Sequence, residues 1–206
     1  MLPSVLVPVL ASRTFSPRDL DGLVLWLKAD AITGVADGGA VATWADQSGN
    51  GNDLAQATAD KQPTLQTDEI NGLPVVRFDG ADDLLEAANF LSGTQGAVFA
   101  VFRITEGFLG NNPEILGSAD EDSSTRSMFL DARLDDGEAP FLFQRNNDTA
   151  DRISGSTVIA DVNTYMIMHA STGTAYHIRV NGADETLTVV AGADSGDWFS
   201  DVDARD

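Results

Sequence analysis

Short apolar runs separated by turn-forming residues extend along most of this chain, and they constrain its fold more than any other feature. The runs are rich in Val, Ile, Phe and Leu, as β-strands are. Nineteen glycines, together with the Asn-Gly pair at 71–72 and the Asp-Gly pair at 79–80, supply turns between them. We predict strands at residues 23–30, 41–46, on both sides of 71–72, 97–104, 126–134, 140–145, 156–160, 164–171, 174–182 and 186–192.

This arrangement predicts an all-β fold with little helix, because many short strands with regular turns are typical of an antiparallel sandwich or barrel. Residues 83–91 have a pattern that one or two helical turns could also satisfy. The chain has 206 residues, 43% of them hydrophobic, which is enough for one core, and no repeat or linker divides it. We therefore expect a single globular unit.

Acidic residues outnumber basic ones, 32 against 12, and they are spread along the chain rather than gathered in a tail. The formal net charge of -20 repels phosphate backbones and anionic lipids, so we expect no nucleic-acid partner. A dispersed acidic surface suits saline surroundings, calcium binding or plain solubility, and the composition leaves these three open. The lack of cysteine excludes disulfides, thiolate zinc sites and cysteine nucleophiles.

The opening stretch, MLPSVLVPVLASRTFSP, holds an apolar run at residues 2–11 that Pro3 and Pro8 interrupt. No basic residue precedes this run, so it matches a secretory signal poorly. Proline favours an extended backbone, and the apolar side chains require cover. We therefore predict that residues 1–19 form an extended arm that docks on a neighbouring subunit. No apolar stretch approaches the roughly 20 residues of a membrane-spanning helix, so we expect no membrane insertion.

Three motifs occur in the order found in one known family: a Trp-x-Asp-x-Ser-Gly-Asn-Gly turn, a strand ending in Phe-Asp-Gly and a strand ending in Val-Asn-Gly. They lie at residues 44–51, 74–80 and 176–182. With them, residues 20–190 resemble the laminin G-like, concanavalin A-like jelly-roll family in its bacterial and phage branch. The resemblance implies that residues 20–206 form an antiparallel jelly-roll β-sandwich of the lectin and glucanase type. It says little about function, since such folds serve unrelated functions.

The family ends in a strand with a Gly-x-Ile/Leu-x-Glu pattern, and nothing after DWFSDVDARD matches it. Three explanations stay open: the chain is a trimmed fragment, a partner supplies the strand, or the sandwich keeps an open edge. A short Pro-rich arm before a jelly roll looks like the phage-encoded members found in virion fibres, tails or capsid decorations. The resemblance thus implies a location on a virion or another extracellular surface.

The stretch WADQSGNGND, residues 44–53, has two interpretations. In the first it is a demanding turn, in which glycines take left-handed backbone conformations and Asp46 accepts nearby backbone N–H groups. In the second, Asp46, Asn50, Asn52 and Asp53 are oxygen ligands of calcium, which prefers such donors. Their spacing differs from the helix-loop-helix calcium pattern, so both interpretations stay open.

Two further acidic loops and one aromatic residue are candidate sites. DGADD at 79–83 and DEDSS at 120–124 each place three carboxylates within five residues, where calcium would neutralise them; a solvated loop is the alternative. Trp198, within DSGDWFSD, is the tryptophan that we expect to be exposed, either stacking on a sugar or covering the open end of the sandwich. We take Trp198, Asp120 and Asp122 as candidate ligand-binding residues.

The residues of known hydrolytic mechanisms do not follow the expected patterns. A glycosidase needs two carboxylates roughly 5 to 9.5 Å apart on one cleft. Asp131 and Asp135, the nearest pair on one face of a strand, would stand about 13 Å apart with Arg133 between them, so we expect a solvent face there. His169 and His177, on neighbouring predicted strands, could face each other or bind zinc, but no further ligand accompanies them. No nucleophile elbow, Walker loop or dinucleotide fingerprint occurs.

These observations predict a non-enzymatic structural or surface-binding component of a phage-type virion or similar surface assembly. Its arm would dock on copies of itself or on other assembly proteins, and its sandwich would be exposed. The alternative is a calcium-assisted, lectin-like module that recognises a cell-surface glycan through residues 46–53 and 118–126. A divergent glycan hydrolase is the least favoured hypothesis, because the required carboxylates are missing.

Overall fold

A computed structural model describes residues 15–88, 90–104, 114–119, 127–132, 140–146, 149–159 and 163–199. Residues 1–14 of the predicted arm lie outside these ranges. The described chain begins at Phe15, whose side chain is 71% exposed. A short 3-10 helix, Pro17–Asp19, follows, and the Ser16 hydroxyl caps it by accepting a hydrogen bond from the Arg18 N–H.

Within these ranges the secondary structure consists of β-strands and short 3-10 helices, and no helix there is both long enough and apolar enough to cross a membrane. The 3-10 helices are Pro17–Asp19, Ala29–Ala31 and Ala59–Lys61. The strands are β1 (Thr43–Trp44), β2 (Leu54–Ala55), β3 (Thr64–Ile70), β4 (Leu73–Arg77), β5 (Gly96–Arg103), β6 (Glu114–Ala119), β7 (Ser127–Asp131), β8 (Phe141–Asn146), β9 (Thr149–Ser154), β10 (Thr164–Ser171), β11 (Tyr176–Val180), β12 (Ala183–Asp184) and β13 (Thr188–Ala191).

Two antiparallel sheets contain most of these strands. One has five strands in the order β13-β9-β8-β7-β6, and the other has four in the order β12-β11-β10-β5. Strands β6 to β9 pair in sequence order, whereas β5 pairs with the distant β10. The smaller β3–β4 hairpin turns at Asn71 and Gly72, both of which have positive φ angles (54° and 76°), as the Asn-Gly pair predicts.

Side chains alternate between core and surface along β10 and β11. In β10, Tyr165, Ile167 and His169 are buried while Met166 is 44% exposed. Strands of both larger sheets contribute to the same core. One cluster joins side chains of β7, β9 and β11, and its most deeply buried members are Met128, Leu130, Ile153 and Tyr176.

The prediction of an all-β, antiparallel fold with almost no helix is confirmed for the described residues. The alternating runs at 164–171 and 174–182 become β10 and β11, and the runs at 97–104 and 140–145 become β5 and β8. Residues 176–180 repeat apolar side chains with a period of two, whereas 97–102 and 140–143 are short continuous apolar runs, and both patterns are consistent with strands.

The prediction of a strand at residues 23–30 is wrong. This segment has a single isolated bridge, from Leu27 to Asp46, before the 3-10 helix Ala29–Ala31. Its backbone groups bind side chains of the turn at 44–53 instead: the Trp26 N–H donates to Asp46, and the Val24 carbonyl accepts from Asn52. Side-chain hydrogen bonds therefore take the place of the strand-to-strand hydrogen bonds that the apolar sequence alone would suggest.

Two further segments differ from their predictions. Residues 156–159 are not a strand, because Glu185 accepts the N–H groups of Ser156 and Thr157; the strand in this region is the more polar β9. The possible helix at 83–91 is also absent from its described residues, where Glu86 instead bridges to Ala55.

Candidate functional site

The turn at residues 44–53 is organised by one carboxylate, that of Asp46. Its Oδ1 accepts hydrogen bonds from the backbone N–H groups of Trp26 (3.0 Å) and Ser48 (2.8 Å). Its Oδ2 accepts from the Ser48 hydroxyl (2.6 Å) and the Asn52 N–H (3.2 Å). Partial burial disfavours the charged form, but these hydrogen bonds outweigh it and lower the pKa of Asp46 to about 2. Asp46 is therefore an ionised hub that ties the turn to Trp26.

The two asparagines of this turn use their amide groups as donors to the protein backbone. Asn50 Nδ2 donates to the carbonyl oxygens of Leu23 (2.7 Å) and Val24 (3.1 Å), and Asn52 Nδ2 donates to the Val24 carbonyl (3.0 Å). These contacts supply partners to the carbonyl groups of a segment that has no strand beside it. The asparagines thus hold residues 23–24 against the turn.

All four proposed calcium ligands are brought together, but the carboxylates among them are engaged with the protein. Asp53 Oδ1 accepts the Asp46 N–H at 2.8 Å, and Asp46 holds four donors of its own. Gly49 and Gly51 take positive φ angles of 101° and 78°, which the turn requires. A calcium ion could use these carboxylates only by competing with the hydrogen bonds that shape the turn, and calcium binding here stays a prediction.

The acidic loop at 79–83 is the second place where carboxylates converge. One carboxylate oxygen from each of Asp79, Asp82 and Asp83 lies within 4.8 Å of the others, and the first two residues are exposed. Asp79 Oδ1 accepts the N–H groups of Ala81 (2.8 Å), Asp82 and Asp83, and the bond from Ala81 is the main cause of its lowered pKa. This group could hold a cation, with Asp82 and Asp83 contributing the oxygens that the turn does not use.

A third feature, which sequence reasoning missed, is an apolar face on the four-stranded sheet. Phe99 is 63% exposed and Val101 is 64% exposed, both on β5, and Met166 on β10 is 44% exposed. Met166 lies opposite Val101, and Met168 lies opposite both Phe99 and Arg179, so these side chains share one face. A shallow depression of about 170 Å³ is lined by Phe99, Met166, Met168, Arg179 and Gly182.

We call the outward residues of β5 and β10 the apolar sheet face. These eight positions hold no carboxylate, although the chain has 32 acidic residues. The members of the face are Ala97, Phe99, Val101, Arg103, Thr164, Met166, Met168 and Ala170. The sequence did contain the signal: GAVFAVFR is apolar at odd and even positions alike, a pattern of strands covered on both faces.

Strand β5 also forms one border of its sheet. Among the described residues it hydrogen-bonds to β10 along its whole length and has no strand on its other side. Arg103, at the end of β5, pairs with Glu69 of the β3–β4 hairpin. A strand edge of eight residues beside an apolar face offers both backbone groups and apolar side chains to a partner.

Trp198 corrects the prediction of an exposed aromatic. Its side chain is only 5% exposed and packs edge-to-face against Phe199, with ring centroids 5.1 Å apart. It lies directly over Gly96, where an added Cβ would come within 2.9 Å of the indole nitrogen. A ring covered in this way presents no free face to a sugar, and it instead packs within a core cluster. Its polar neighbours in sequence concealed this burial.

The residues considered for catalysis are kept apart. Asp131 is 5% exposed rather than on a solvent face, so that expectation is wrong; residues 133–139 lie outside the described ranges. His169 points into the core, whereas His177 is exposed and lies opposite Ala170 on the other face of the sheet. The two histidines therefore cannot share a metal ion across this sheet.

Asp120 and Asp122 lie outside the described residues, as does the rest of 120–126, whereas the other loop predicted for recognition, 46–53, is described. No protein-family model, no curated protein and no solved structure matches this chain. The resemblance carried by residues 44–51, 74–80 and 176–182 therefore stays a prediction.

Proposed function

We propose that this protein is a non-enzymatic, self-associating component of a surface assembly. The observation that carries the proposal is the apolar sheet face, where Phe99 and Val101 are almost two-thirds exposed beside Met166. Single exposed apolar side chains are common, but a contiguous group of them marks an interaction surface. Burying such side chains contributes about 25 cal/mol for each Å² of apolar area removed from water, which favours a partner at this face.

The distribution of charge supports the same proposal. The net charge of -20 keeps copies of the chain apart wherever acidic surfaces meet. The apolar sheet face carries no carboxylate, so two chains can approach there with less repulsion than elsewhere. Charge thus restricts association to a specific surface.

Within this proposal the fold is a laminin G-like, concanavalin A-like jelly-roll sandwich. Support comes from two antiparallel sheets whose side chains enter common clusters, and from the order of the three motifs. By the same resemblance the assembly belongs to a phage-type virion or another extracellular surface, and its partners are further copies of the chain or other virion proteins.

Sedimentation velocity over a range of protein concentrations tests the proposal. We expect the wild-type chain to form larger species as concentration rises, and Val101→Asp to stay monomeric because the new carboxylate cannot be buried without a partner. Val158→Asp is the matched control, since Val158 is 55% exposed outside this face. A wild-type chain that is monomeric at every concentration contradicts the proposal.

A second candidate function is a calcium-assisted module that binds a cell-surface glycan. The cluster of Asp79, Asp82 and Asp83 favours it, because three carboxylates within 4.8 Å repel one another unless a cation neutralises them. In this role the folded chain would melt at a higher temperature with added calcium, since an ion that binds only the folded state stabilises it. Asp82→Asn should remove that increase, and the glycan signal on an array should vanish in chelator.

A further inference from the structure

We propose that the apolar segment at residues 2–11 of one copy pairs with the β5 edge of a neighbouring copy and extends its apolar sheet face. This inference rests on the proposed function, because it names the partner and the surface through which the chain self-associates.

The surface side of the contact is a sheet border with two kinds of binding group. Phe99 and Val101 of β5 and Met166 of β10 present apolar side chains to solvent. Among the described residues, the far side of β5 has no strand to receive its backbone N–H and C=O groups. An added segment can use both, because its backbone pairs with the edge while its alternate side chains extend the apolar face beside β5, as in peptides that extend a sheet.

The occupant is suggested by the composition of the segment that precedes the described chain. Residues 2–11, LPSVLVPVLA, contain no charged side chain, and most of them are Leu, Val or Ala. An uncharged apolar segment matches a face that holds no carboxylate. In an acidic chain most other surface segments would bring like charges to the contact.

The lengths of the two parts also agree. An extended stretch of ten residues spans about 33 Å, and the eight residues of β5 span roughly 27 Å. Pro3 and Pro8 have no N–H to donate, so regular pairing with the β5 edge is restricted to residues 4–7 between them. Leu6, within residues 4–7, would then lie beside β5, and the test places it opposite Val101.

Cross-linking tests the contact, since the chain has no cysteine of its own. Two full-length variants with different tags, Leu6→Cys and Val101→Cys, are mixed and oxidised mildly with diamide. We expect a disulfide between the two chains, detected as a covalent heterodimer. The control pair, Leu6→Cys with Val158→Cys, should not cross-link. Equal amounts of covalent heterodimer from the two pairs would overturn the inference.

The same samples distinguish a failure of this inference from a failure of the proposed function. Association in sedimentation without a disulfide at Val101 overturns the inference and leaves the proposed function standing. A chain carrying both Leu6→Cys and Val101→Cys that closes a disulfide within itself, and stays monomeric, overturns both. Absence of any association overturns the proposed function directly.

A charge substitution gives an independent measurement. Leu6→Asp and Val101→Asp should each weaken association by about tenfold or more, a difference of roughly 1.4 kcal/mol or more. The double variant should be little weaker than either single one, because both changes remove the same contact. Fully additive effects would contradict the proposed pairing of the segment with β5.

Discussion

Asp46 shows how a single carboxylate can take the place of secondary structure. Its four hydrogen bonds join a turn to a segment that has only one β-bridge, and so they fix the position of Trp26. Because hydrogen bonds to a charged acceptor are roughly twice as strong as neutral ones, the ionised form of Asp46 matters to the fold.

We expect Asp46→Asn to destabilise the protein by about 1–3 kcal/mol, because the new amide N–H group would face the donors of Ser48 or Asn52 instead of accepting from them. Urea denaturation followed by tryptophan fluorescence measures the change. Asp60→Asn, at an exposed position, is the control and should leave the midpoint nearly unchanged. Equal midpoints for the two variants would show that Asp46 is not the hub of the turn.

The lowered pKa of Asp46 adds a pH dependence to the same comparison. The folded state holds the pKa of Asp46 at about 2, below its ordinary value of 3.8, so the contribution of Asp46 to stability is complete above about pH 4. It is lost as the pH falls through about 2. We therefore expect the difference between wild type and Asp46→Asn to be constant near neutral pH and to shrink on acidification. A difference that grows in acid would mean that the carboxylate is not ionised when folded.

For individual residues, the turn can be predicted from the sequence but the burial of Trp198 cannot. Asp46 accepts N–H groups within the turn and its glycines take positive φ angles there, and the local spacing reveals both features. The bonds from the turn's asparagines to residues 23–24 join distant parts of the chain, and the spacing does not reveal them. Trp198 stands among Asp, Ser and Gly, and only its long-range contact with Gly96 covers it. No local pattern encodes such a contact.

Strand β5 makes a different contact on each of its two sides. Its inward side packs Gly96 beneath Trp198, and its outward side presents Phe99 and Val101. The strand is easily predicted from its β-forming residues, whereas its place at the border of a sheet is not, because the identity of its neighbours depends on β10, far along the chain.

Gly96→Ala tests the inward contact of this strand. The added Cβ would lie 2.9 Å from Trp198 Nε1, closer than packing allows, and we expect a loss of about 1–3 kcal/mol in unfolding free energy. In a Trp198→Phe background the same change should cost less, since the indole nitrogen is gone. Thermal denaturation of the four chains in this cycle gives the comparison, and equal costs in both backgrounds would refute the contact.

Other elements show why apolar character alone misassigns strands. Residues 23–30 are more apolar than β9, yet β9 is the strand, because its neighbours β8 and β13 offer backbone partners on both sides. Residues 23–26 meet the side chains of a turn instead. Apolar content therefore predicts neither burial nor strand pairing here, because residues 23–30 are half-buried or exposed whereas β9 buries Asp151, Ile153 and Ser154.

When whole molecules associate, repulsion between their charges opposes the apolar contact that holds them together. Each chain carries a formal charge of -20, so every association step works against repulsion between chains. The Debye length falls from about 10 Å at 0.1 M salt to about 3 Å at 1 M, which screens that repulsion without weakening the apolar sheet face.

We therefore expect self-association to tighten as sodium chloride is raised, measured by sedimentation equilibrium at several salt concentrations. Val101→Asp should remain monomeric throughout, because screening does not restore the lost apolar contact. Association that weakens with salt would indicate an interface held by ion pairs, contrary to the proposal.

The pairing of β5 with β10 has a consequence for how the chain folds. These strands lie roughly sixty to seventy-five positions apart, whereas β6 to β9 pair with their immediate successors. Closing the long loop carries a larger entropic cost, so the successive hairpins should form first and β5 should join late. Until it does, its apolar residues are open to other nascent chains. Val98 of β5 is partly buried against a core cluster. In stopped-flow measurements, Val98→Ala should accelerate unfolding and leave the folding rate nearly unchanged, whereas a slower folding rate would place β5 in the nucleus.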